Sequence, residues 1–201
     1  MTTLVLASTS PYRCDLLKRF NIPFQTFAPE VDETPLPNET PAQLVLRLAE
    51  MKARAGAAAF ASSSENVLVI GADQVADFNG TILGKPGSFA NAQKQLRTLS
   101  GHSVVFRTGV ALFNPQAQRC RTVRVDVTTE YRHLTDAEID HYLRAAEPFN
   151  CAGSVRSEDL GIALFERIDN DDPTALIGLP LIALARLLRA EGVNPLLAAS
   201  S

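Results

Sequence analysis

Apolar and polar positions along the chain form short blocks that predict strands and helices in turn. Continuous apolar runs at Thr3 to Ala7 and Val67 to Ile70 predict strands that are buried on both faces. Helix starts are indicated by Ser10-Pro11, which precedes an apolar stripe, and by capping boxes that open at Thr40 and Thr135. This alternation is typical of an α/β fold.

The pattern of apolar and polar positions changes in the middle of the chain. Two alternating runs, Val104 to Phe113 and Thr122 to Arg132, predict a hairpin of long strands. Leu160 to Ile168 predicts a further strand, and Leu179 to Glu191 predicts a final amphipathic helix. The whole pattern predicts an α/β fold with a mixed sheet and flanking helices. We expect a single domain over residues 1–201, with two lobes around a central cleft.

Composition narrows the classes of partner. With 19 basic and 22 acidic residues, the formal net charge is −3, which argues against a surface that coats nucleic acid. The most apolar run, Gly178 to Leu188, is too short to span a membrane. The start of the chain has no secretory signal, and three cysteines without C-x-x-C spacing suit a reducing compartment. We therefore predict a cytoplasmic location, with no nucleic-acid or membrane partner.

The first candidate site lies where a strand is predicted to turn into a helix. Backbone N–H groups at a helix start have no intrahelical partner and favour an anion. The hydroxyls of Ser8 and Ser10 would add hydrogen-bond donors, and Arg13 would add a cation that can bind phosphate in a forked geometry. An ordinary Ser-Pro helix cap beside a surface arginine is the alternative interpretation.

Carboxylates supply the next candidates. Glu30, Asp32 and Glu33 form an acidic stretch that could ligate a hard cation, or could equally be a solvated loop. Asp73 follows the predicted buried strand in the sequence Gly71-Ala72-Asp73-Gln74, at the place where α/β folds bind ligands. A buried carboxylate needs a partner or a metal.

Two later segments carry weaker signals. Gly84-Lys85-Pro86 predicts a rigid turn that projects one ammonium group, although it lacks the P-loop pattern. The stretch Cys151 to Glu158 is rich in small residues that would leave room for a ligand, and Glu158 could accept hydrogen bonds from a base edge. For both segments, the alternative interpretation is an ordinary loop with no functional role.

Taken together and in order, these motifs resemble the Maf family of nucleotide pyrophosphatases, over nearly the whole chain. The matching segments run from the N-terminus to the last helix: Leu6 to Arg13, Pro29 to Glu33, Leu48 to Ala53, Gly71 to Val75, Gly84 to Pro86, Ser100 to His102, Cys151 to Ser154 and Gly178 to Pro180. Within the family, Asp73-Gln74 and the later Glu158 resemble the branch that hydrolyses 7-methyl-GTP. Tyr12 stands where many relatives are expected to have Trp or Arg.

The resemblance implies a hydrolase that removes pyrophosphate from 7-methyl-GTP, in the housecleaning of modified nucleotides, with Mg²⁺ or Mn²⁺ as cofactor. Asp73 would be the catalytic base, and Asp73 and Glu33 would hold the metal. A free carboxylate is a weak base at neutral pH, so a metal that acidifies the water makes this role chemically reasonable. The residues implied to bind the triphosphate are Ser8, Ser10, Arg13, Lys52 and Lys85.

Base specificity is implied to depend on three residues. Glu158 would pair with the N–H donors of guanine, Tyr12 would stack on the cationic methylated base, and Gln74 would contact a base or ribose edge. The family also implies a small-molecule nucleotide as substrate and a homodimer as the assembly. Two alternatives stay open: a dTTP or UTP pyrophosphatase of the same family, and a non-catalytic nucleotide sensor that regulates cell division.

Overall fold

A computed structural model describes residues 2–60 and 66–197 of the chain. Within these ranges the chain forms five α-helices and seven strands, which confirms the mixed α/β class. The helices are α1 (Pro11–Lys18), α2 (Pro41–Ala59), α3 (Phe89–Leu99), α4 (Asp136–Ala146) and α5 (Leu181–Ala190). The strands are β1 (Thr2–Ala7), β2 (Phe24–Phe27), β3 (Asn66–Phe78), β4 (Thr81–Leu83), β5 (Ser103–Asn114), β6 (Arg119–Tyr131) and β7 (Phe165–Asp169).

The strands form one mixed sheet in the order β2-β1-β3-β5-β6-β7, and β4 pairs with β3. Strand β1 is parallel to both β2 and β3, whereas β4 and β7 are antiparallel to their partners. The chain divides into two compact units. The first takes its described residues from Met1–Asp73, Thr108–Val125 and Asp172–Ser201, and the second from Gln74–Arg107 and Asp126–Asp171. Strands β3, β5 and β6 each continue from one unit into the other.

The first unit has helices on both faces of its strands. On β1 and β3, alternate residues such as Leu4 and Ile70 share one apolar cluster with residues of α1 and α5. The intervening residues, such as Val5 and Val69, form a second cluster with the alanines of α2. This arrangement follows from strand geometry, because successive side chains point to opposite faces. It also explains why these strands are continuous apolar runs in the sequence.

The second unit contains α3 and α4 with the remaining parts of β3, β5 and β6. Large side chains from each element are buried in it, including Leu96, Phe106, Ile139 and Leu143. Both predicted capping boxes are present: Thr135 caps α4 in this unit, and Thr40 caps α2 in the first unit. Across the described residues, no helix combines the length and the hydropathy required to cross a bilayer.

Three predicted boundaries are wrong. Strand β3 does not end before Asp73 but continues to Phe78, because its last residues pair with β4. The first half of the predicted strand from Leu160 to Ile168 is a short 3₁₀ turn, Leu160–Leu164, and Asp159 caps this turn by accepting from the Leu160 N–H. Helix α5 begins at Leu181 rather than Leu179 because Pro180 occupies its N-cap position.

Candidate active site

A lysine bridges two carboxylates in the first unit. Lys52 Nζ lies 2.7 Å from Asp73 Oδ1 and 2.6 Å from Glu33 Oε1. The side chains of Lys52 and Asp73 are only 9% and 10% exposed, whereas that of Glu33 is 56% exposed. The site therefore has a buried ion pair with one solvent-facing carboxylate at its edge.

Close packing of α2 against β3 explains how this pair forms. A Cβ added at Gly71 would lie 2.1 Å from the Ala49 carbonyl oxygen and 2.6 Å from the Ala53 nitrogen. The strand backbone therefore lies directly against the turn of α2 that carries Lys52. Asp73 is two residues beyond Gly71 and projects to the same face. Because an uncompensated charge is costly to bury, each group makes the other's burial tolerable.

The charges of this cluster suit a cation that is shared with a substrate. Two carboxylates and one ammonium leave a formal excess of one negative charge. Among the described residues, no three His, Cys, Asp or Glu side chains form a group that could hold a metal. Mg²⁺, however, is commonly held by one or two carboxylates together with substrate phosphates. Glu33 and Asp73 converge on the Lys52 ammonium, so this mode of binding would use carboxylate oxygens other than the two that contact Lys52.

The two serines of the first motif lie at the junction of β1 and α1. Ser10 is the N-cap of α1, and its hydroxyl accepts from the Arg13 N–H at 3.4 Å. The Ser8 hydroxyl, which is buried, accepts from the Ser10 N–H at 3.2 Å. A hydroxyl can donate as well as accept. Both bonds therefore leave the O–H hydrogen able to donate to a phosphate oxygen.

Arg13 braces the backbone beside Asp73. Its Nη1 donates to the Ala72 carbonyl at 2.8 Å, and its Nε donates to the Gly178 carbonyl at 2.9 Å. Burial lowers the pKa of the Arg13 guanidinium from its usual value, while the carboxylates of Asp73 and Glu33 act in the opposite direction. The guanidinium has five N–H donors, so its predicted contact with phosphate would use those that remain.

Sequence reasoning did not identify the segment that begins at Asp172, contains Gly178 and leads into α5. Asp172 is buried and accepts from the backbone N–H groups of Ile182 and Ala183, which caps the start of α5. The Thr174 hydroxyl donates to Asp172 and accepts from the Leu181 N–H. The signal in the sequence was Asp172-Pro173-Thr174, because Asp before Pro favours a turn. A second signal was that Pro180, at the N-cap position of α5, has no side chain that could cap the helix, so the cap has to come from elsewhere in the chain.

The predicted specificity residues are divided between the units. Tyr12 lies half-buried in the first turn of α1 in the first unit. Gln74 follows Asp73 on β3, and its side chain projects to the opposite face of the strand. Lys85 is exposed in the irregular segment that follows β4, where the sequence predicted a turn, and Glu158 is exposed in a turn; both belong to the second unit. The structure thus brings together Asp73, Lys52 and Glu33, with Arg13 braced next to Asp73, and the roles of all these residues stay predictions.

The first unit thus combines carboxylates of a kind that ligate cations with serine hydroxyls at a helix start that are able to donate to phosphate. The chain belongs to the Maf family: the family model described as "Maf-like protein" matches residues 3–191. A 7-methyl-GTP pyrophosphatase from Polaromonas sp. (strain JS666 / ATCC BAA-500) is 54% identical over 190 residues, covering 94% of this chain and 85% of that protein.

Two further relatives have the same description. A 7-methyl-GTP pyrophosphatase from Pseudoalteromonas translucida (strain TAC 125) is 52% identical and covers 98% of this chain and 96% of its own length. One from Burkholderia pseudomallei (strain 1710b) is 52% identical, covering 94% of this chain and 87% of that protein. Among solved structures, the Staphylococcus aureus Ham1 protein aligns with a TM-score of 0.47 and 20% identity, over 65% of this chain and 72% of that chain.

Proposed function

We propose that this protein is a nucleoside triphosphate pyrophosphatase that hydrolyses 7-methyl-GTP to 7-methyl-GMP and pyrophosphate in the cytoplasm. The observation that carries the proposal is the buried pair of Lys52 and Asp73 with Glu33 at its edge. The substrate is supported by the relatives described as 7-methyl-GTP pyrophosphatases, which are 52–54% identical to this chain.

In the proposed reaction, a water molecule attacks the α-phosphorus. The Asp73 carboxylate accepts a proton from that water as its oxygen bonds to phosphorus. The bond from the α-phosphorus to the oxygen that bridges the α- and β-phosphates breaks, and this oxygen leaves as part of pyrophosphate. One Asp73 oxygen accepts from Lys52, and a carboxylate has further lone pairs with which to accept the proton.

The surrounding groups would bind and orient the triphosphate. The Ser8 and Ser10 hydroxyls would donate to phosphate oxygens, and the ammonium of Lys52 would offset negative charge close to the reacting group. Arg13 fixes the backbone at Ala72, which limits the movement of the adjacent Asp73. A divalent cation held by Glu33 and Asp73 would neutralise phosphate charge and acidify water.

A substrate panel tests this proposal. Purified protein is incubated with Mg²⁺ or Mn²⁺ and with 7-methyl-GTP, GTP, dTTP or UTP, and pyrophosphate and orthophosphate are measured separately. The proposal predicts pyrophosphate release that is fastest with 7-methyl-GTP. Release of orthophosphate, or recovery of all four nucleotides intact, would contradict it. Tight binding with intact nucleotide would instead indicate the sensor.

A further inference from the structure

One face of α3 holds both ends of the Lys85 segment, the irregular stretch of residues 84–86. Asn91 Nδ2 donates to the Pro86 carbonyl at 2.9 Å, and Gln95 Nε2 donates to the Gly84 carbonyl at 3.2 Å. Positions four residues apart lie on the same face of a helix. The backbone on each side of Lys85 is therefore tied to α3, while the Lys85 side chain stays exposed.

The other end of Gln95 contacts the 151–158 loop, the segment that contains Glu158. The Ser154 hydroxyl, which is completely buried, donates to Gln95 Oε1. The backbone of the same loop is held from α4, because the Tyr142 hydroxyl donates to the Ser154 carbonyl and accepts from the Arg156 N–H. The loop is thus fixed from both helices, and Glu158 lies exposed four residues after Ser154.

Glutamine is suited to this position by its chemistry. Its side-chain amide carries an acceptor and a donor on one rigid planar group. The Gln95 oxygen accepts from Ser154 in the loop, and its nitrogen donates to the Gly84 carbonyl in the Lys85 segment. A glutamate would lack the donor, and an apolar residue would lack both groups. Loss of the acceptor would also leave the buried Ser154 hydroxyl without this bond, which is unfavourable.

We infer that Gln95 is a positioning residue that fixes the Lys85 segment and the 151–158 loop with respect to each other, and thereby sets affinity for the nucleotide. This inference rests on the proposed function and on the roles that the family resemblance implies, in which Lys85 binds phosphate and Glu158 binds the base. Gln95 itself would contact neither the phosphate nor the base. All the residues whose contacts support this inference belong to the second unit.

The test compares Gln95→Ala with Gln93→Ala. Gln93 is a matched control on the same helix, because its side chain is also half-buried and donates a hydrogen bond to Asp140. Binding of a non-hydrolysable 7-methyl-GTP analogue is measured by calorimetry, and kcat and KM for 7-methyl-GTP are measured by pyrophosphate release. Gln95→Ala should raise Kd and KM about tenfold while changing kcat less than about twofold. Gln93→Ala should leave Kd and KM at the wild-type values.

Ser154→Ala removes only the hydrogen bond from the loop to Gln95. It is the variant to measure if Gln95→Ala does not fold. It should weaken binding about threefold, and the double variant should bind no more weakly than Gln95→Ala, because both changes break one connection. A Kd for Gln95→Ala or Ser154→Ala equal to that of the wild type would overturn the inference. Analogue binding without pyrophosphate release by the wild type would contradict the proposed function alone. No binding by the wild type would overturn both.

Discussion

The ammonium of Lys52 lies 2.7 Å from the Asp73 carboxylate, and both side chains are at least nine-tenths buried. Breaking such a pair by removing one partner leaves the other charge buried and uncompensated. The pair thus links the stability of the first unit to the proposed chemistry, since Asp73 is the base and Lys52 fixes one of its oxygens.

Replacing Lys52 with methionine, of similar length but uncharged, should lower both stability and turnover. We expect the free energy of unfolding to fall by about 3 kcal/mol, and pyrophosphate release to fall at least about 100-fold. Urea denaturation and the assay with 7-methyl-GTP measure the two effects. Lys18→Met is the control, because its ion pair with Asp15 is 66% and 70% exposed and such surface pairs contribute little to stability. Equal losses in the two variants would count against the special role of Lys52.

Gly71→Ala tests whether the close approach of α2 and β3 creates the site. The new methyl group would overlap backbone atoms of Ala49 and Ala53, so α2 has to move away. We expect a loss of about 3 kcal/mol in the free energy of unfolding, together with a lower kcat. Gly84→Ala is a control for stability, because nothing lies within 4 Å of its added Cβ. Wild-type stability and kcat in Gly71→Ala would exclude the packing argument.

Glu191 should make the first unit sensitive to acid. Its carboxylate accepts from Arg119, Arg121 and Asn114, and hydrogen bonding by Arg119 is the main cause that lowers its pKa from 4.5 to about 2. Because the folded state holds the charged form more strongly than the unfolded state does, this stabilisation is complete above about pH 4.5 and is lost towards about pH 2.

The measurement is the free energy of unfolding of Glu191→Gln and the wild type at several pH values. The difference should be on the order of 2 kcal/mol at pH 7, allowing for solvent screening at the exposed arginines. It should shrink as the pH approaches 2. Glu130→Gln, at an exposed position on β6, is measured in parallel as the control. A difference for Glu191→Gln that does not change with pH would rule out the linkage.

Glu158→Gln should alter base preference rather than chemistry. A glutamine amide offers a donor to the O4 acceptor of a pyrimidine, whereas a carboxylate offers only acceptors. We therefore expect the ratio of kcat/KM for 7-methyl-GTP to that for UTP to fall about tenfold or more. Glu166→Gln, an exposed carboxylate on β7, should leave the ratio unchanged. An unchanged ratio in Glu158→Gln would remove Glu158 from base recognition.

The features that local sequence determines could be predicted. The caps at Ser10, Thr40 and Thr135 depend on residues within three positions, and all three are confirmed. The β5–β6 hairpin also follows from local alternation. The predicted end of β3 was wrong because the continuous apolar run stops at Ile70, before Gly71. In the structure it serves close packing against α2, and strand pairing with β4 extends β3 beyond Asp73.

The site itself depends on contacts between residues that are distant in the sequence. That Lys52 is near Asp73 depends on which face of β3 α2 covers, and no local pattern specifies this. The two backbone contacts of Arg13 and the two contacts of Gln95 are likewise tertiary. The resemblance to a family supplied residue identities, whereas the structure supplied the partners that hold those residues in place.

The role of Asp73 as the base for hydrolysis of 7-methyl-GTP is tested by the rate of pyrophosphate release from this nucleotide by the wild type and by Asp73→Asn. The substitution keeps the size of the side chain but removes the proton acceptor. We expect rapid release by the wild type and a loss of at least about 100-fold in Asp73→Asn, with the Kd for the non-hydrolysable analogue changed far less. Release by Asp73→Asn at the wild-type rate would contradict this role.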